Sequence, residues 1–448
     1  MRAAILAKHI VWSTPQGRGL AEVLEIVTGC GLWLTLFTAP LAAGGVVHWG
    51  PGSTFSFHLY WFDATMAITL AAWAVYLSIK GESSLTVGCP WIAGGLAGLL
   101  GLALAGVPFS VQPEVALGMA ARLWGAVLLY LFLVNYRPSA LLVGSALLSS
   151  LVLQALVALG QVARQGSLGL KILGEPRLNS ATPGISVIVL DGHRWLRAYG
   201  LTNHPNLLAG LAAVTGIVLI ATLPKGRRAV STVCLGIILI CAASRGAWLA
   251  MGLGAIFLWV SAARGRPARR TDAARLRLPL GAILVGVLAL LPRFNPTNRL
   301  EVQSLRAHVE EMGQAFGLIL HHPLLGVGAN CYPIALGRVV SPAAYAPYGV
   351  PIVHNSVLLA GAEMGVPAAL LLCGLVVGPL VLTLMGRPGS GEIGAAAGLA
   401  VYAVLGLTDF SEWASPGFRV VFVTLLAIWA TERQLGAYSG KQARKEGK

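Results

Sequence analysis

One histidine and its neighbour have the sequence context of a general base, a side chain that takes a proton from a substrate. His354 is followed by Asn355, and the segment VPIVHNSVLLAGAEMG predicts a short helix over 356–364. Asn355 or Ser356 is typical of the N-cap that begins such a helix. The positive end of a helix disfavours imidazolium, so we expect His354 to stay neutral and basic. The same helix end attracts phosphate groups.

Two arginines add anion-binding chemistry. Arg245, in ASRGAWLA, lies in a short connection between two apolar runs. An arginine at a helix N-terminus opposes the helix dipole, and this favours a functional role. Arg306 lies in the first turn of an amphipathic helix predicted over 304–320, whose apolar face we expect to lie on the outer membrane surface. An ion pair with Glu310 is the alternative for Arg306. Guanidinium groups bind phosphates through paired hydrogen bonds.

Three more charged residues, together with Asn355, are weaker candidates for substrate binding. Arg197 precedes an apolar run and could instead anchor lipid headgroups. Arg122 lies inside an apolar run, and Glu363 lies near membrane depth, where ionisable residues often have a function. Glu363 could equally well be the ion-pair partner of a nearby arginine. The sequence Gly365-Val366-Pro367 predicts a helix break just after it.

The composition identifies an integral membrane protein. The chain of 448 residues is 56% hydrophobic and 11% charged, and its mean hydropathy is +0.75. Soluble domains carry about a quarter charged residues. Apolar runs recur that are long enough to cross about 30 Å of hydrocarbon as helices. We therefore predict an all-α fold of about twelve transmembrane helices in a single polytopic domain, 1–448.

The predicted spans fall into two halves of six. They are 22–40, 60–79, 85–107, 115–134, 140–162, 206–223, 230–243, 247–263, 278–292, 366–385, 393–409 and 418–432.

The basic residues predict the orientation. With the N-terminus inside, inner segments hold 20 of the 32 Lys and Arg residues and outer segments hold 11. This asymmetry predicts that both termini are cytoplasmic. Two long outer loops result, 163–205 and 293–353, and the region 293–365 combines the amphipathic helix with the His-Asn motif. We expect the functional residues to concentrate at this face.

Two other classes of site are disfavoured. The run ARGRPARRTDAARLR predicts an inner, topology-determining connection rather than a nucleic-acid site. His321 and His322 are adjacent, so they point apart on a helix, and we predict no metal site there.

Four motifs together resemble the O-antigen ligase and polymerase superfamily. They are RAYGLTNHPNLLAGLAA, ASRGAWLA, Arg306 seventeen residues before the proline of HHPLLGVG, and HNSVLLAGAEMGVPAALLL. They cover 197 to about 385, in the order and spacing of that superfamily, whereas the first five spans match it only in hydropathy.

The resemblance implies a membrane glycosyltransferase with the C-type fold in the bacterial inner membrane. Such enzymes move glycan from undecaprenyl diphosphate to an acceptor at the periplasmic face. It implies that Arg245 and Arg306 bind the diphosphate and that His354 is the catalytic residue. It also implies an inverting displacement that needs no cofactor or metal ion. Expected partners are the lipid-linked donor, a glycan acceptor and membrane lipids.

Several functions remain open on the sequence alone. We expect a ligase of lipopolysaccharide biosynthesis, whose acceptor is lipid A core. An O-antigen or exopolysaccharide polymerase would use a second lipid-linked repeat as acceptor, and a protein glycosyltransferase shares the motifs. A lipid or solute transporter is the alternative of another class. It would show broken segments at the midplane of two related halves, and we find no such repeat.

Overall fold

The computed structural model confirms an all-α integral membrane protein. It describes residues 19–48, 56–81, 84–190, 192–265, 299–339 and 352–446. The helices of the first half are α1 Leu20–Thr38, α2 Trp61–Lys80, α3 Pro90–Gly106, α4 Pro113–Tyr136, α5 Ala140–Arg164, α6 Pro205–Thr222 and α7 Lys225–Ala242. Those of the second half are α8 Arg245–Gly265, α9 Arg299–His321, α10 Tyr332–Val339, α11 Ser356–Met385, α12 Ser390–Thr408, α13 Ser411–Ala414 and α14 Pro416–Glu446.

Nine helices of the described ranges are long and apolar enough to cross a membrane: α1 to α6, α8, α11 and α12. The predicted spans 230–243 and 418–432 are helical and lie within α7 and α14, which are not among the nine. The predicted span 278–292 lies outside the described residues. The multi-pass architecture is thus confirmed, while the count of twelve stays a prediction.

Two buried helices, α6 and α12, form the centre of the bundle. They pack against each other, and α12 also packs against α8, α11 and α14. Small residues allow the close approach: a Cβ on Gly394 or Gly398 would lie 2.8 Å from the side chain of Thr222 or Val218. Close packing of small residues is the usual way in which helices associate in lipid.

Two short hairpins lie outside the helices. Strands β1 Gly44–His48 and β2 Ser56–Tyr60 pair antiparallel, and so do β3 Val187–Leu190 and β4 His193–Leu196. The second hairpin lies in the predicted loop 163–205, directly before Arg197. The first hairpin leads directly into α2, and the second precedes α6.

The predicted break in α11 is confirmed at Gly365. Its backbone angles, φ 84° and ψ 171°, are not helical. The interruption exposes the carbonyl groups of Ala362 and Glu363, which accept hydrogen bonds of 2.9 Å from the backbone of Val327 and Gly328. The glycine turn after α9 therefore closes onto the break and fixes α9 against the first part of α11.

Candidate active site

His354 is held by the start of α11. The Asn355 side chain caps this helix, and its Oδ1 accepts hydrogen bonds from the backbone of Val357 (3.0 Å) and Leu358 (2.9 Å). The N-cap prediction is confirmed for Asn355. Because its amide oxygen is occupied in this way, Asn355 positions His354 through the backbone.

Glu311 is the direct partner of His354. The Nδ1 atom of His354 lies 2.7 Å from Oε2 of Glu311, which is buried on α9. The same carboxylate oxygen lies 3.2 Å from Nδ1 of His308, one turn earlier on the helix. The two imidazole rings meet edge to face, with their centroids 4.3 Å apart. One carboxylate thus orients two histidines.

The electrostatics of this cluster depend on Glu311. Burial disfavours its charge, but hydrogen bonds from His308 and His354 lower the pKa of Glu311 to about 2. Burial alone would lower the pKa of His354. The hydrogen bond and charge of Glu311, with the charge of Asp409, raise that pKa above its ordinary value. The helix end was expected to keep His354 neutral, but the net shift of its pKa has the opposite direction, because the two carboxylates favour imidazolium.

The cluster also has the composition of a metal site. Ligand atoms of His308, Glu311 and His354 lie within 4.8 Å of one another, and two histidines with one carboxylate can bind zinc. Tetrahedral bonds of 2.0–2.1 Å would place two ligand atoms about 3.3 Å apart. The 2.7 Å separation between His354 and Glu311 is instead that of a charge-assisted hydrogen bond. The observed geometry therefore fits an oriented base better than a ligand set.

A second carboxylate, that of Asp409, fixes the aromatic residue that packs against His354. The Phe410 ring lies edge-on to the imidazole at 5.4 Å. Asp409 fixes this phenylalanine, because its Oδ1 accepts hydrogen bonds from the backbone of Phe410 (2.7 Å) and Ser411 (2.9 Å). Its Oδ2 accepts a 3.2 Å hydrogen bond from Asn206, at the start of α6.

Arg197 continues this network rather than facing an open site. It donates hydrogen bonds to Asn206 Oδ1 (2.7 Å), Ser186 Oγ (2.8 Å) and the carbonyl oxygen of Ala242 (2.7 Å). These contacts join the second hairpin, α6 and the end of α7. The structure gives Arg197 a structural role beside the candidate site.

Arg245 begins α8, as predicted, and only two residues separate it from the end of α7 at Ala242. The next residue, Gly246, faces Thr408: a Cβ there would lie 3.2 Å from its hydroxyl oxygen. Thr408 directly precedes Asp409, and Asn355 donates a 3.4 Å hydrogen bond to the carbonyl oxygen of Leu407. Arg245 therefore lies at the same end of the bundle as His354, near the end of α12.

Arg306 lies on a different side of its helix. It is exposed on α9, and helical geometry places it about 140° around the axis from Glu311 and about 160° from His308. The exposed apolar residues Val309 and Phe316 share its side. Arg306 thus lies on the apolar face that we predicted to contact the membrane, and the structure does not bring its guanidinium against His354.

Glu363 has partners within the protein. Its Oε2 accepts a 2.9 Å hydrogen bond from the indole nitrogen of Trp413, and the backbone N–H groups of Asn330 and Tyr332 also bond to its carboxylate. Tyr332 begins α10, so this buried carboxylate caps that helix. The direct hydrogen-bond donors to Glu363 are thus an indole and backbone N–H groups, while the charge of a nearby arginine, Arg419, also acts on it.

Arg122 lies away from His354, beside the first hairpin. It donates hydrogen bonds to Asp63 Oδ2 (3.4 Å) and to the backbone carbonyl of His58. Its guanidinium also lies 5.3 Å from the centre of the Tyr60 ring. This environment forms a separate polar group between α2 and α4.

Comparison with known families agrees with the geometry. Residues 230–373 match the family model described as O-antigen ligase. This match supports membership of the O-antigen ligase superfamily. No curated protein matches the chain. The family match supports an enzyme of the ligase and polymerase type that uses lipid-linked glycan substrates and a glycan acceptor. With the apolar helices, it also indicates a multi-pass membrane protein of lipopolysaccharide biosynthesis.

The O-antigen ligase match contains most of the candidate site. Arg245, Arg306, Glu311 and His354 lie within it, whereas Asp409 follows it. Sequence reasoning missed Glu311, His308 and Asp409. The spacing of His308 and Glu311, three residues apart on a predicted helix, was the available signal, because such residues share one face.

Proposed function

We propose that the protein is an O-antigen ligase, which transfers a glycan from undecaprenyl diphosphate to a hydroxyl group of lipid A core at the periplasmic face. The single observation that carries this proposal is the pairing of His354 with Glu311 at the start of α11. It supplies an oriented base in a chain whose family acts on lipid-linked glycans.

The hydrogen bond with Glu311 determines which ring nitrogen of His354 can act as the base. Because Glu311 is ionised, it only accepts hydrogen bonds, and Nδ1 of neutral His354 must carry the proton. The Nε2 atom is then unprotonated. As the acceptor oxygen bonds to the anomeric carbon, its proton passes to Nε2, and the bond from that carbon to the diphosphate oxygen breaks. A single displacement of this kind inverts the anomeric configuration.

The leaving group needs positive charge. Undecaprenyl diphosphate departs as an anion, and Arg245, at the same end of the bundle as His354, is the first candidate to bind it. Arg306 shares its side of α9 with Val309 and Phe316, so it would meet a lipid-borne diphosphate from the membrane side. In this mechanism two arginines neutralise the diphosphate without a metal ion.

The test compares two histidines. His354→Ala should insert normally but transfer glycan about 10² to 10⁴ times more slowly in a purified assay. His321→Ala is the matched control, because His321 is exposed at the end of α9 and its ring bonds to the carbonyl oxygen of Gly317 on the same helix. Near-normal turnover by His354→Ala would leave this histidine structural and overturn the proposal.

A further inference from the structure

A second polar site lies between α2, α4 and the start of α14. It is a cavity of about 200 Å³, and its lining includes Asp63, Arg122 and Arg419. Arg419 is 7% exposed, and its Nη1 donates to the carbonyl oxygen of Trp413 at 2.6 Å. The mechanism proposed above uses neither arginine.

The charge of this cavity favours an anion. The positive charges of Arg122 and Arg419 act on each other and on Asp63, and the charge of Glu363, which lies outside the lining, also acts on Arg419. Asp63 is the one carboxylate for two guanidinium groups among the lining residues that the structure describes. Like charges that share a poorly hydrated site cost free energy, which a bound anion would offset. A phosphate group matches the paired donors of arginine.

The remaining lining is apolar and reaches the surface. Leu59 and Ala121 line the cavity and are exposed, while Met66, Leu129 and Val420 line it further in. Ala121 lies on α4, a helix apolar enough to cross the membrane. A ligand could therefore enter from the lipid side, and an apolar chain could remain in the bilayer.

The cavity lies at the same end of the bundle as the candidate base. Arg419 is bonded to Trp413, and the indole of Trp413 is bonded to Glu363 on α11. Phe410, three residues before Trp413, contacts the ring of His354. The short helix α13 thus lies between the cavity and the catalytic cluster, and connects them.

We propose that this cavity binds the phosphate group of a second membrane lipid, the one that carries the acceptor sugar. The identity of that lipid as the acceptor rests on the proposed function. A transferase that joins two lipid-borne glycans must hold both lipids at one face of the membrane. The two arginine sites, Arg245 with Arg306 and Arg122 with Arg419, would each hold one.

Binding can be tested without catalysis. Farnesyl diphosphate, titrated calorimetrically into the protein in neutral detergent, should bind at two sites per chain. Ala121→Trp fills the entrance while keeping both arginines, and should leave one site; Arg122→Gln should do the same. Leu117→Trp is the matched control, because Leu117 is exposed one turn earlier on α4 and does not line the cavity. It should keep two sites, and Arg245→Ala should leave only the cavity site.

Two results would overturn the binding site. One is a single site in the wild type that Arg245→Ala removes and Ala121→Trp leaves intact. The other is inorganic pyrophosphate binding in the cavity as tightly as farnesyl diphosphate, which would show that no lipid chain is recognised.

The acceptor assignment has its own readout. With donor saturating, Arg122→Gln should raise the KM for the lipid-borne acceptor about tenfold or more, the loss expected for one charge-assisted contact. Ala121→Trp should raise this KM as well, because it blocks the entrance to the cavity. Leu117→Trp should leave this KM unchanged. An unchanged acceptor KM in Ala121→Trp would overturn the assignment even if two sites bind. If His354→Ala keeps full turnover, the proposed function fails, but the binding result still stands.

Discussion

The Nδ1 atom of His354 and the Oε2 atom of Glu311 are 2.7 Å apart, although the two residues lie on different helices. This hydrogen bond fixes the tautomer and direction of the imidazole, as the carboxylate does in a Ser-His-Asp triad. The start of α11 presents the histidine, and α9 supplies the carboxylate. Glu311 is therefore a positioning residue, because it acts on substrate only through His354.

We first predict that Glu311→Gln changes both the rate and its pH dependence. His354 must be neutral to accept a proton, so wild-type activity should fall as pH drops below its raised pKa. Without the carboxylate, burial lowers that pKa. The acid limb of the pH–rate profile should then move to lower pH, while the plateau falls by about 10²-fold or more because the tautomer is no longer fixed.

Glu310→Gln is the matched control for this measurement. Glu310 is the exposed neighbour of Glu311 on α9, and it contacts Gln314 rather than a histidine. Its profile should keep the wild-type acid limb. An acid limb that stays in place in Glu311→Gln, with or without a lower plateau, would show that Glu311 does not set the pKa of His354.

The sequence predicts those features of this site that depend on adjacent residues, but not those that join residues distant along the chain. Local patterns were sufficient for the cap at Asn355, the start of α8 at Arg245 and the break at Gly365. Each of these depends on a few adjacent residues. The pairing of Glu311 with His354 joins residues 43 positions apart, and no local pattern encodes that contact.

The amphipathic helix α9 shows a second reason why the sequence alone does not predict the whole site. The apolar stripe was predicted to lie on the membrane, and Val309 and Phe316 are indeed exposed. The opposite side, with His308 and Glu311, packs towards α11. In a soluble protein the apolar side would face the core, so patterning alone would point the polar residues to water. The predicted membrane contact of the apolar side reverses that assignment, and the polar side is then the one that faces the site.

Our second prediction concerns the arginines proposed to bind diphosphate. Arg245→Lys and Arg306→Lys should each lower turnover, because lysine supplies the charge but not the planar pair of donors. Arg194→Lys is the control, since Arg194 is exposed on β4 and bonds to the backbone of Ser180. Activity should also survive incubation with EDTA. Loss of activity with EDTA that zinc or magnesium restores would instead assign the His308–Glu311–His354 cluster to a metal ion.

The third prediction tests the break in α11 at Gly365, where the turn after α9 packs against α11. A Cβ at Gly365 would overlap the backbone carbonyl of Leu324, and φ 84° is itself unfavourable for alanine. Gly365→Ala should therefore lower both the melting temperature in detergent and the activity. Gly374→Ala, on the same helix, is the control, because nothing lies within 4 Å of its added Cβ. Equal melting temperatures for the two variants would contradict the structural role of the break.

The last prediction separates a ligase from a polymerase. Both reactions use the same donor, so Arg245, Arg306 and His354 cannot distinguish them, and the acceptor must. Both acceptors are also lipids with phosphate groups, so the cavity at Arg122 and Arg419 would suit either. Purified enzyme should therefore receive lipid-linked repeat alone, and then the same donor with lipid A core. A ligase should form product only when the core is present, and His354→Ala should form none. A ladder of longer glycans on undecaprenyl diphosphate, made without added core, would reject the ligase and identify a polymerase.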